Sequence, residues 1–156
     1  MATEIPVFIM AFIRPDLLRR SLDQLAKFAP SILYVVADGP RNPKEEALCS
    51  QSRQIALEPG WKCEVIPLFS DENQGLVSSF LQGMNCMFKD HEYGIFLEDD
   101  ILLSQSFYPF AQELLVKYRE NPRIGHINAS NFIPEFHHQV KDKSSYFFSN
   151  LSLIHI

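Results

Sequence analysis

The sequence predicts an α/β domain with a mostly parallel sheet and helices on both faces. Three observations carry that prediction. Apolar runs of strand length alternate with segments of helical periodicity through most of the chain. The first runs, Val7-Phe-Ile-Met-Ala-Phe12 and Ile32-Leu-Tyr-Val-Val-Ala37, are apolar without a break. That is the pattern of strands covered on both faces. Polar or glycine-bearing segments follow four of the runs, and in open parallel sheets ligands bind beyond the carboxyl ends of the strands.

The elements follow in order. After the first strand, Arg14-Pro15-Asp16 opens a helix, since proline suits the first helical turn. Leu18, Leu22, Leu25, Ala26 and Ala29 continue it up to Pro30. The second strand closes at Asp38-Gly39-Pro40. Asn42-Pro43 reads as an N-cap with Pro at the first helical position, and Glu45 and Glu46 suit the positive helix end. That helix fades before Pro59-Gly60. Cys63 to Phe69 reads as a third strand; Pro67 cannot donate to a ladder and points to an edge.

Ser70 to Gly75 is polar loop, and Leu76, Val77, Phe80, Leu81, Met84 and Phe88 mark a helix with one apolar stripe. Tyr93 to Leu97 is the fourth strand. Phe107 to Tyr118 carries a helical face with Ser106 as N-cap, ended by Asn121-Pro122. Ile124 to Asn128 reads as a fifth strand, with His126 packed inside it. Pro134 to Ser145 reads as loop, and Tyr146 to Phe148 as the start of a last strand.

Composition bounds the function. A length of 156 residues suits a single domain spanning 1–156 with one core. An apolar share of 46% with 21% charged residues is that of a soluble globular protein. A net charge of -5 with no basic block leaves no footprint for nucleic acid. No apolar run approaches the ~20 residues of a membrane span. The N-terminus lacks the basic and apolar regions of a signal peptide. The expected compartment is therefore the cytoplasm, with a peripheral place at a membrane left open. Cys49, Cys63 and Cys86 form no CxxC pair and read as reduced thiols.

The candidate chemistry gathers at the strand ends. Gly94-Ile-Phe-Leu-Glu98-Asp99-Asp100 runs an apolar strand into three carboxylates, which need a cation, donors or water to offset their repulsion. Small hard cations bind through one or two carboxylates plus ligand phosphates. A solvated acidic turn is the plain alternative. Asp38 can accept a ring N–H or a ribose hydroxyl. Gly75 can let backbone N–H groups approach a phosphate at a helix start. Arg14 can pair with phosphate. No GxGxxG, GxxxxGK[ST] or GxSxG occurs, which disfavours dinucleotide folds, P-loop enzymes and serine hydrolases. His137-His138 lacks partners at metal-ligand spacing.

Val7 to Asp16, Tyr34 to Arg41, Asn73-Gln-Gly75 and Gly94 to Ile101, in that order and spacing, resemble the nucleotide-sugar-binding half of a glycosyltransferase of the nucleotide-diphospho-sugar transferase (A-type) fold. The likeness covers about residues 5 to 150 and is closest to bacterial family-two-like transferases. Glu98-Asp99-Asp100 looks like the Asp-X-Asp variant of the N-acetylglucosaminyltransferase that starts hybrid N-glycans. The resemblance implies a nucleotide-diphosphate sugar as donor, a UDP-sugar by preference. It also implies a hydroxyl acceptor, a divalent metal (Mn²⁺ or Mg²⁺) and a role in surface polysaccharide assembly.

Ala11, Phe12 and Arg14 would contact the base and diphosphate, Asp38 would accept from a uracil-type base, and Asn73 and Gly75 would flank the nucleotide. Asp100 would ligate the metal, Asp99 would reach the ribose and Glu98 the donor sugar. Two positions depart from relatives: Ile13, where Asn is frequent, and Leu76-Val-Ser-Ser79, where an Arg is frequent. Relatives continue past the point matching Ile156 into a Trp-rich segment holding the acceptor site and base. The chain is thus expected to be the N-terminal part of a longer glycosyltransferase, with the catalytic base beyond its end. A fold-retaining, non-catalytic interaction module is the second reading, and a nucleotidyltransferase the third.

Overall fold

The computed structural model describes residues 5–128. The chain divides into two compact units, Met1–Tyr108 and Pro109–Ile156. Among the described residues the first holds four strands, β1 (Val7–Ala11), β2 (Ile32–Ala37), β3 (Glu64–Phe69) and β4 (Ile95–Glu98). Its helices are α1 (Pro15–Leu25), α2 (Glu46–Leu57) and α3 (Leu76–Asp90), and α4 (Phe107–Tyr118) starts at its end. The sheet is parallel throughout, in the order β3-β2-β1-β4. This is the α/β architecture expected from the sequence.

The order sets the faces. The chain steps outward from β1 to β2 to β3, then returns across the sheet to place β4 on the other side of β1. Right-handed crossovers put the two outward helices, α1 and α2, on one face and the returning α3 on the other. Alternation along the strands agrees. Phe8, Tyr34 and Val36 pack with Met87 of α3, while Val7, Ile9, Leu33 and Val35 point the opposite way and are fully buried. The loops after β1 and β4 thereby become neighbours at the point where strand order reverses, the usual place for a ligand crevice in such sheets.

Pro67 sits where its chemistry allows. Glu64 N–H donates to Ser31 O at 2.7 Å and Ser70 N–H to Ala37 O at 3.0 Å. Even-numbered residues of β3 thus donate inward to β2, and Pro67 turns its missing donor to the open edge. Asn42 caps a short 3₁₀ turn, Pro43–Glu45, by accepting from Lys44 N–H at 3.1 Å, and α2 begins only at Glu46.

Three expectations change. First, the apolar stripe of α3 faces the sheet only in part: Phe80 packs on Phe8 and Phe96, and Phe88 touches Phe96. Leu76, Val77 and Leu81 are exposed by half or more. The buried line is Ser79, Gly83 and Met87, spaced by four. Small side chains win here because the helix lies very close to the strands: a Cβ on Gly83 would come within 2.3 Å of the Phe8 ring and 2.4 Å of Val36. Gly83→Ala is therefore expected to lower stability. The overlap costs about 1–3 kcal/mol, against about 1 kcal/mol gained from helix propensity. A denaturation midpoint raised by the substitution would contradict this packing.

Second, α1 ends at Leu25 rather than running to Ala29, which adopts a left-handed φ of 44°. Third, Ile124–Asn128 forms no strand, and His126 is exposed rather than packed. In the second unit, a turn replaces the expected strand entry: Asn121 accepts from Arg123 N–H at 3.1 Å, and Ile124 N–H donates to Asn121 O at 3.0 Å. With Gly125 between them, Ile124 and Ile127 offer no period-two face to bury. The expected loop and last strand over 134–148, and His137-His138, lie outside the described residues.

Candidate functional site at the sheet switch point

β1 and β4 pair in register from Val7 with Ile95 to Met10 with Glu98, so their ends are level. The chain leaves β1 through Phe12, Ile13 and Arg14 and leaves β4 through Asp99 and Asp100. Asp99 is 2% exposed, whereas Glu98 and Asp100 are exposed. A buried carboxylate needs a counter-charge or donors, and Arg14 supplies them. Its guanidinium grips Asp99 through both Nη2 and Nε, and its Nη1 donates to Asp100 Oδ2 at 2.9 Å. Ser21 of α1 places its hydroxyl 2.9 Å from Asp99 O and 2.8 Å from Ile101 O, tying the loop after β4 to the helix.

Burial pushes the Asp99 carboxyl above its ordinary range, and the bonds and charge of Arg14 only partly pull it back. For Arg14, partial burial opposes the charge, but Asp99 and then Asp100 outweigh it and hold the guanidinium above its ordinary value. One cation thus serves two carboxylates at the end of β4.

A second cluster forms around Asp38, beyond β2. Its Oδ1 accepts from Gly39 N–H at 2.9 Å and Gln74 N–H at 2.7 Å. Its Oδ2 accepts from Asn73 Nδ2 at 3.0 Å and Gly75 N–H at 2.8 Å. Four donors from its own chain fill the four acceptor positions of a carboxylate. Asn73 also donates to Gly39 O at 2.9 Å. Gly39 is needed for this closeness, since a Cβ there would lie 2.4 Å from the Glu72 carbonyl carbon. Gly75 takes a φ of 81° as it enters α3, whose start no side chain caps. The Asp38 charge therefore sits beside the positive end of α3.

Of the sequence candidates, Arg14, Asp99 and Asp100 come together in the first cluster, and Phe12 precedes it at the exit of β1. Asp38, Asn73 and Gly75 come together in the second. Ala11 is the buried last residue of β1, and Glu98 ends β4 beside Met10. Arg41 links the loops after β1 and β2, its guanidinium 5.1 Å over the Phe12 ring. Arg41 also pairs with Glu45, whose carboxyl it holds below the ordinary range. Arg53 of α2 donates to Asp38 O and Ser70 O. Sequence reasoning passed over Arg41, Arg53 and Ser21. The Arg41–Glu45 spacing was a visible signal; the other two act on carbonyls far along the chain and leave none.

Among the described residues no three carboxylate, imidazole or thiol groups converge on one point. Asp99 and Asp100 nevertheless both present oxygens to one guanidinium. Two carboxylates able to share a cation fit an ion whose remaining ligands come from phosphate and water. A separate hollow between β3 and the first turns of α3, lined by Phe69, Ser70, Ser79 and Gln82, contains none of these charges.

Fold and site together define an α/β protein with a doubly wound parallel sheet and an ion-paired acidic rim at its switch point. Comparison with protein families, with curated proteins and with solved structures gives no match. Among the described residues no helix is long and apolar enough to cross a membrane.

Proposed function

We propose that this chain is the nucleotide-sugar-binding part of a metal-dependent glycosyltransferase. One observation carries the reading: residues following two neighbouring strands, Arg14 and Asp99-Asp100, meet where the strand order reverses. Asp100, the more exposed partner of Arg14, is the residue to hold a divalent ion. Such an ion would offset the diphosphate charge and stabilise the negative charge growing on the departing nucleotide. Ala11, Phe12 and Arg14 line the nucleotide and its diphosphate, with Phe12 and Arg41 offering a stacked pair beside the base. Asp99 neighbours the ribose and Glu98 the sugar. Asp38, Asn73 and Gly75 hold the far wall; contact of Asp38 with a base would add to, or displace, one of its four bonds. Transfer to a hydroxyl further needs a base to take the acceptor proton.

A thermal-shift screen with Mn²⁺ tests the donor class. A UDP-sugar at a hundred times its Kd should add about 2.7 kcal/mol, or about 5–10 °C for a protein of this size. Stabilisation by nucleoside triphosphates and not by diphosphate sugars would favour a nucleotidyltransferase.

A second reading, a module that keeps the fold without the chemistry, is supported by the saturation of Asp38 and by the engagement of Gly75 N–H. Donor hydrolysis above background by this chain would exclude it.

A further inference from the structure

Arg14 occupies an awkward position for a residue meant to meet phosphate. Three of its donors are already spent on Asp99 and Asp100. The Asp100 oxygen it holds is one of the two that the carboxylate could offer a metal. Formal charge makes the conflict sharper: Glu98, Asp99 and Asp100 against Arg14 alone leave this rim at −2. Neither a diphosphate nor any other anion is drawn to such a rim until cationic charge is added.

We propose that Arg14 is an exchangeable counter-ion. In the free chain it partly offsets the acidic pair; when a divalent cation takes Asp100, Arg14 releases that carboxylate and turns its donors to the ligand's diphosphate. The inference rests on the nucleotide-sugar reading and adds the order of events. Three features allow the movement. The Arg14 side chain is 46% exposed, so it can turn without unpacking the core. It stands on the loop between β1 and α1, outside both elements. Asp99 stays anchored through its backbone when the guanidinium shifts, because the Ser21 hydroxyl donates to Asp99 O at 2.9 Å. The planar fork of a guanidinium suits phosphate as well as it suits a carboxylate. Cation and diphosphate must then bind with positive coupling, of equal size in either order.

The test is calorimetry on the full chain, wild type and Arg14→Gln, with Mn²⁺ alone, UDP alone, and UDP at saturating Mn²⁺. Wild type should bind UDP at least tenfold tighter with Mn²⁺. Arg14→Gln, freed of the competing cation, should bind Mn²⁺ alone several-fold tighter and lose most of the coupling. A second measurement uses the wild type only. The Arg14 Nε–H resonance, assigned by its absence in Arg14→Lys, should shift when Mg²⁺ and UDP are added together.

Equal Mn²⁺ affinity in both proteins with undiminished coupling overturns the exchange and leaves the nucleotide-sugar reading standing. An Nε–H resonance unmoved by loaded Mg²⁺ and UDP does the same, and decides the matter if Arg14→Gln does not fold. Absence of Mn²⁺ and UDP binding by both proteins overturns the reading and the exchange with it.

Discussion

Asp38→Ala is expected to be the most damaging single substitution at the sheet rim, lowering stability by about 3 kcal/mol, because a carboxylate's hydrogen bonds are worth about 1.5–3 kcal/mol each and water can replace part of four. The side chain is 8% exposed. Its removal strands the N–H groups of Gly39, Gln74 and Gly75 and leaves the Asn73 amide only its bond to Gly39 O. Because every partner is a donor, Asp38→Asn should not rescue: its amide NH₂ would face donors wherever it points. Urea denaturation of both variants checks this. An Asp38→Asn protein as stable as wild type would mean that the carboxylate does not hold the two loops together. The same loss should loosen the wall formed by the loop before α3, so ligand affinity should fall along with stability.

Arg14→Ala should cost about 2–3 kcal/mol at neutral pH, below the 3–5 kcal/mol of a fully buried pair because the guanidinium is half exposed. The loss should depend on pH in a defined direction. Asp99 has its folded-state carboxyl raised, mainly by burial and against the pull of Arg14. A raised carboxyl gives stability that is complete below its unfolded value and is lost as pH rises through the folded value. Without Arg14 the burial effect is less opposed, so the folded value moves higher still and the loss extends further toward neutrality. The deficit of Arg14→Ala relative to wild type should therefore shrink as pH falls from neutral into the acid range. Denaturation in chelator at several pH values measures it. A deficit that grows on acidification would contradict the assignment of Arg14 as the counter-charge of Asp99.

The two central strands, β1 and β2, were legible because they are buried on both faces and so read as unbroken apolar runs; Ile32–Ala37 appears in sequence and structure with the same limits. Even Pro67 was informative, since β3 proved to be the sheet edge. Helix faces were harder. The apolar residues of α3 suggested a stripe, but proximity to Phe8 and Val36 selected Ser79 and Gly83 for the buried line. No periodicity measure sees that, because it scores hydrophobicity and the packing here is decided by size. Ile124–Asn128 misled for the opposite reason, an apolar scatter with no face to pair.

At the rim, the residue types were legible and their partners were not. Arg14, Asp38 and the acidic triplet stood out as charges beyond apolar strands. That Arg14 would meet Asp99, or that Asp38 would meet Asn73, Gln74 and Gly75, depends on strand order and on loops that approach through Gly39. Those contacts are long-range, and no local spacing encodes them.

The central claim is a metal-assisted diphosphate site at the end of β4, with Asp100 as its ligand. Titration of UDP into the chain by calorimetry, with Mn²⁺ and then with chelator, tests it most directly when repeated on Asp100→Ala. The account predicts binding that requires Mn²⁺ and is lost in Asp100→Ala while that protein remains folded. No binding by the wild-type chain, or undiminished binding by Asp100→Ala, would contradict it.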